Sequence, residues 1–160
     1  MIRITAKAII EQDGRLLLIK KKLDHVGVYY TLPGGGQELG ETLDYTIMRE
    51  CKEELSINIK ILKILCVREY ISANHEYSFL QKEVHALEFV YHCAIDVGSQ
   101  LSSLQSDAGQ IGFEWLKISD IINSLSSRTN DIKFPKTLAD FLEEYYIHQS
   151  IETFSSFKFL

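Results

Sequence analysis

Along the chain, apolar positions gather into short runs parted by turn residues, and helical spacing takes over in three places. The runs "ITAKAII" (4–10) and "RLLLIKK" (15–21), separated by "EQDG", predict a hairpin that turns at Asp13-Gly14. "VYYTL" (28–32) predicts a third strand ending at Pro33, because proline cannot donate to a ladder and the glycines after it weaken a strand. "INIKILKILCVREYI" (57–71), "EVHALEFVYHCAIDV" (83–97) and "IGFEWLKI" (111–118) are rich in β-branched and aromatic residues and predict three more. "SDIINSL" (119–125) and "PKTLADFLEEYYI" (135–147) predict helices, the second with Pro135 near its first turn. Strands and helices interleave without a regular βαβ rhythm. The expected class is α/β, a mixed sheet covered by helices.

Composition narrows this picture. The 160 residues, 46% hydrophobic and 24% charged, suit one domain spanning 1–160, with 148–160 as a C-terminal extension. A net charge of −5 argues against a nucleic-acid polymer as partner. The start "MIRITAKAII" lacks a signal-peptide pattern, and no apolar run nears the roughly 20 residues of a membrane span, so the expected location is cytoplasmic with no membrane partner. Cys51, Cys66 and Cys93 form no C-x-x-C pair and are expected as reduced core thiols. His85 and His92 stand seven apart in one strand, hence on opposite faces, which suits structural roles. None of the five histidines is assigned to catalysis.

The third helical stretch carries the candidate chemistry. Between Pro33 and Ile57 six carboxylates (Glu38, Glu41, Asp44, Glu50, Glu53, Glu54) face two cations, Arg49 and Lys52, directly after three glycines. The segment reads as a glycine loop followed by a helix over 41–55, with Thr42 as N-cap and Glu41 and Asp44 placed where the helix dipole favours acids. At about 100° per residue, Leu43, Ile47, Met48, Cys51 and Leu55 share the apolar arc, and Glu50, Glu53 and Glu54 gather beside its edge. Like charges at such spacings repel, more so near a buried face. Arg49 compensates one of them; a divalent cation would compensate all three. A charge run on a helix is ordinarily a solvated face, but here the spacing says otherwise. Gly35, Glu41, Arg49, Glu50, Cys51, Glu53, Glu54 and Ile57 fill the fixed places of G-x5-E-x7-R-E-U-x-E-E-x-G-U, where U is a bulky apolar residue, and "YYTLPGG" leads into them.

This pattern resembles the Nudix box, and the chain is similar to Nudix hydrolases over residues 30–57, with supporting likeness in the hairpin before, in "VHALEFVYHCAI" and in "FEWLKISDI". The resemblance implies an α/β/α sandwich around a mixed sheet. It implies hydrolysis of a diphosphate linkage in a nucleoside diphosphate derivative, with Mg²⁺ or Mn²⁺ held by Glu50, Glu53, Glu54 and the Gly34 carbonyl. Glu50 or Glu53 would accept the proton of the attacking water, Glu50 being preferred. Arg49 would orient the carboxylates and Glu41 would hold the loop to the helix. Two positions depart from the pattern: Ser56 replaces the glycine near the box end, and Cys51 is small for its place. A serine there must adopt the left-handed conformation at roughly 1 kcal/mol, or the helix must end differently, with help from Asn58. The alternative function is a non-catalytic nucleotide-binding or regulatory module; such modules usually lose box carboxylates, and here none is lost.

The substrate is less legible. Residues 71–73 are Ile, Ser and Ala where the ADP-ribose subgroup of the family places a proline, and Tyr70 and Tyr77 bracket the tyrosine place of the dinucleoside polyphosphate subgroup. A nucleoside triphosphate leads by elimination, with a nucleotide sugar behind it. Tyr29, Tyr30, Tyr70 and Tyr77 are candidates to stack a base, and Lys21, Lys22 and Arg68 to meet phosphates, against the ordinary reading of packing tyrosines and solvated lysines. Asp107 in the loop 98–110, or Glu114 beyond it, is a candidate acid from outside the box. The tail's Phe154, Phe157, Phe159 and Leu160 are expected to be covered, by the domain's own sheet or by a second subunit in a homodimer.

Overall fold

A computed structural model describes residues 1–24, 27–72, 84–103, 109–126, 138, 142 and 158–159. The element order is β1 (Ile2–Gln12), β2 (Arg15–Leu23), β3 (Gly27–Thr31), β4 (Gly34–Gly36), α1 (Leu43–Leu55), β5 (Ile59–Ile71), β6 (His85–Ile95), β7 (Gln110–Lys117), α2 (Ile118–Ser126) and β8 (Lys158–Phe159). The first hairpin turns where expected: Asp13 and Gly14 take positive φ of 52° and 69°, the twist that joins antiparallel strands tightly.

The described strands form one mixed sheet in the order β3-β2-β1-β6-β5-β8, with β4 paired to β1 and β7 to β2. β1 runs parallel to β6, while β5 and β6 are antiparallel. Alternation along β1 and β2 places successive residues on opposite faces. Leu16 and Leu18 join Ile9 in a core with Ile118 and Ile121 of α2 and with Leu138 and Leu142; Leu17 and Ile19 join Ala6, Ala8 and Ile10 in a core with Ile47, Cys51 and Leu55 of α1. Helices therefore cover both faces, which is the α/β/α sandwich. Leu138 and Leu142 are helical and buried; the rest of the helix expected over 135–147 lies outside the described residues. All three cysteines are free and buried.

Two expectations are corrected. The glycines 34–36 are not a loop: they form β4, antiparallel to β1 with Ala6 opposite Gly35 and Lys7 opposite Gly34. Gly34 holds φ of +124°, and a Cβ there would collide with the carbonyl oxygen of Ala6, so only glycine lets this strand lie against β1. On α1, Met48 is 42% exposed and does not belong to the apolar arc. The buried face is turned toward Thr46 and Glu54, both fully covered, so the stack 46, 50, 54 packs inward beside 47, 51, 55. Glu54 is thereby within the buried arc instead of beside it.

Candidate active site

The site is built where the second half of α1, through Arg49, Glu50 and Glu54, meets β4, with the turn before the helix braced against it. Thr42 caps the helix in extended conformation, its Oγ1 accepting from the Tyr45 N–H at 3.2 Å. Glu41, just before it, accepts from the Glu38 N–H and from the Thr46 hydroxyl, both at 3.0 Å. Arg49 answers Glu41 with a two-pronged contact, Nε to Oε1 at 2.7 Å and Nη2 to Oε2 at 3.0 Å. That guanidinium holds the Glu41 carboxyl down at about 2. The same Arg49 donates to the Gly36 carbonyl at 3.0 Å, to Glu50 Oε1 at 2.9 Å and to Glu53 Oε2 at 3.2 Å. One cation thus ties the glycine strand, the pre-helical turn and two box carboxylates together.

Glu54 is held separately. Its side chain is 1% exposed, and Oε2 accepts from the Gly34 N–H at 2.8 Å. Burial drives its carboxyl up to about 7, against the Gly34 hydrogen bond and the ammonium charges of Lys7 and Lys21, and the Glu50 charge pushes the same way as burial. Glu50 is also raised, chiefly by burial, with Arg49 pulling the other way. Its carboxylate lies against Gly35, where an added Cβ would stand 2.8 Å from Oε2. The third box acid, Glu53, keeps its side chain half exposed. At the C-terminal end, Ser56 adopts the left-handed conformation (φ 61°, ψ 20°) and its N–H reaches the Lys52 carbonyl. Gln110 Nε2 donates to the Glu54 carbonyl at 2.9 Å and tethers the helix end to β7.

Lys7 is the residue that sequence reading missed. From β1 its Nζ donates to the Gly34 carbonyl at 2.7 Å, and its charge acts on Glu50 and Glu54 alike. The signal was an isolated lysine in the apolar run "ITAKAII", where a charge in an interior strand is costly unless something uses it. The donors at this corner, three carboxylates and a carbonyl, are the hard oxygens that Mg²⁺ or Mn²⁺ takes, and the carbonyl already accepts from a cation. They fit such an ion in kind. Among the described residues, however, no three His, Cys, Asp or Glu side chains are gathered closely enough to hold one as they stand, because Arg49 draws Glu50 and Glu53 while Glu54 turns to Gly34.

The candidate substrate residues divide. Arg68 donates to Glu88 at 2.6 Å and stacks its guanidinium 5.3 Å from the Tyr70 ring centre. Register sets Arg68 beside Glu88 and Glu88 beside Thr5, two residues before Lys7 on the same face of β1. Thr5 Oγ1 is buried there without a partner among the described residues. Tyr30, in contrast, is 7% exposed within the α2-side core, and its hydroxyl donates to Glu114 at 2.6 Å. Glu114 also pairs with Lys20 at 3.4 Å. Lys22 is exposed, with its backbone N–H on the Gly109 carbonyl. His85 pairs with Glu69 at 2.7 Å, and His92 is lowered by burial. Tyr77, His25, His75, His148 and Asp107 lie outside the described residues.

The sequence model of the NUDIX domain matches residues 1–139. An ADP-ribose pyrophosphatase of Methanocaldococcus jannaschii is 39% identical over 64 residues, a match that spans 40% of this chain and 38% of that protein's length. Among solved structures, a NUDIX hydrolase from Nitrosomonas europaea superposes with a TM-score of 0.66 at 21% identity, covering 93% of this chain and 90% of that one. A MutT NUDIX hydrolase from Burkholderia pseudomallei gives 0.61 at 27% identity, over 74% and 85% of the two chains. An ADP-ribose pyrophosphatase from Streptococcus suis gives 0.65 at 14% identity, over the whole of both.

Proposed function

This chain belongs to the NUDIX family, and from that premise we propose that it is a pyrophosphohydrolase, cleaving the diphosphate linkage of a nucleoside diphosphate derivative by attack of water at phosphorus. The observation that carries the reading is Glu54: a carboxylate removed from solvent, raised to about 7 and set beside Glu50 has no structural use that Gln would not serve better. Mg²⁺ or Mn²⁺, held by Glu50, Glu53, Glu54 and the Gly34 carbonyl, would supply the positive charge that a pyrophosphate needs on its oxygens. Arg49 keeps Glu50 and Glu53 aimed and Glu41 fixes Arg49 in turn. Glu50 accepts the proton of the attacking water; burial raises its basicity, which suits that task. The new P–O bond forms from that water as the bridging P–O bond breaks.

A nucleoside triphosphate is the substrate the sequence favours, and ADP-ribose is a second reading favoured by the name of the archaeal relative. Arg68 and Tyr70 are the best placed to meet the nucleotide, on the face of the sheet that also carries Lys7. Tyr30, whose hydroxyl is engaged by Glu114, serves packing. The test is a screen of nucleoside triphosphates, ADP-ribose, dinucleoside polyphosphates and nucleotide sugars with Mg²⁺ or Mn²⁺. Metal-dependent turnover of at least one is expected, and it should be mostly lost in Glu54→Gln. Tight nucleotide binding without product under either metal would instead establish a binding module.

A further inference from the structure

We propose that Lys7 is the internal counter-cation of the metal-free site: its ammonium occupies the Gly34 carbonyl and must leave it when a divalent cation loads. The inference rests on the reading of Gly34, Glu50 and Glu54 as metal ligands. Lys7 sits on β1, whose ladders to β4 and β6 leave it in the middle of the sheet, with its side chain part-buried on the face opposite to Ala6 and Ala8. Partial loss of water around an ammonium is unfavourable unless oxygen ligands replace it. The compensation is the Gly34 carbonyl at 2.7 Å, together with the charges of Glu50 and Glu54, on both of which Lys7 acts. Those are the groups that a metal would claim. A carbonyl oxygen held by an ammonium cannot present the same lone pair to a divalent cation, and two cations within a few ångströms repel. Loading is therefore an exchange, one cation for another. The exchange has a use. It keeps the carboxylates from repelling one another in the empty site, and it releases a mobile ammonium beside Thr5, on the face where Arg68 lies, when the metal takes over.

Mn²⁺ affinity, measured by electron paramagnetic resonance without any nucleotide, reads this directly. Lys7→Met keeps most of the side chain's length, lacks its terminal nitrogen and removes its charge. It is expected to bind Mn²⁺ about tenfold tighter than wild type, as losing one competing charge at short range in a partly hydrated site implies, and to melt at a lower temperature without metal. Lys7→Arg, which retains the charge, is expected to stay near the wild-type affinity. A second measurement needs no variant: in the wild-type protein, reductive methylation of Lys7 followed by mass spectrometry should quicken several-fold on adding Mg²⁺. Unchanged or weaker affinity in Lys7→Met, or a Lys7 equally protected with and without Mg²⁺, overturns the proposal. Glu54→Gln separates the two readings: if it weakens Mn²⁺ binding while Lys7→Met leaves it alone, only the role of Lys7 fails. If Mn²⁺ binds wild type and Glu54→Gln alike, the metal site itself is elsewhere and both fail.

Discussion

At the scale of single residues, the site depends on atoms that are missing as much as on those present. Gly35 has no Cβ, and that space is where the Glu50 carboxylate lies. Gly35→Ala is therefore expected to leave β4 in place but displace Glu50, and a misplacement near 1 Å is enough to cost about a hundredfold in turnover. Steady-state kinetics beside a thermal melt checks this: a fall in kcat with a nearly unchanged melting temperature is the expected pair. Glu41 gives a pH test of the hub around Arg49. Its carboxyl is depressed from 4.5 to about 2, so its contribution to stability is fully present above 4.5 and is lost as pH falls toward 2. Glu41→Gln should melt lower than wild type at neutral pH, and the gap should close through that acid window. A gap that stays constant down to pH 2 would show that the Glu41 charge contributes nothing.

At the scale of elements, α1 ends on a strained residue. Ser56 stands in the left-handed conformation that glycine occupies at little cost, and its N–H still closes on the Lys52 carbonyl. Ser56→Gly should keep that bond, remove the Cβ strain and raise stability by about 1 kcal/mol, read from the midpoint of urea unfolding at constant slope. The left-handed serine was one of two endings that the sequence allowed, because the Glu-Glu-x-Gly spacing names the position where the helix must stop. The Thr42 cap and the Asp13-Gly14 turn were legible for the same reason: both are local chemistry. β4 was not, since three glycines carry no strand propensity and only the partner β1 makes them a strand. The true buried arc of α1 was hidden too. A hydrophobic wheel counts Met48 as apolar and Glu54 as polar, whereas the opposite residues are covered here, because Gly34 supplies an N–H for the glutamate.

At the scale of the whole molecule, what the sequence concealed is distance. Lys7 and Lys21 lie far from the box in the chain, and only the registers of β1 and β2 carry their charges to Glu54. The apparent excess of six carboxylates over two cations within residues 33–57 is thus met partly from other strands. The tail poses the same kind of question. Lys158 and Phe159 add a parallel strand to the edge of the sheet, beside Cys66 and Val67 of β5, so part of the tail pairs with this chain's own sheet. Phe154, Phe157 and Leu160 lie outside the described residues. Without β8, the backbone donors and acceptors of β5 at Cys66 and Val67 face solvent or another molecule, and an open strand edge invites pairing between chains. Removing residues 151–160 is accordingly expected to lower the melting temperature by about 3 °C or more, with each kcal/mol worth about 2–4 °C at this size. The glycine strand β4 pairs with β1, and β6 and β5 stand between β1 and that edge, so the Mn²⁺ affinity proposed for the box should be kept. Differential scanning fluorimetry, light scattering and Mn²⁺ titration on the shortened chain read all three. A deletion protein that melts with wild type and stays equally dispersed would mean that this edge needs no cover.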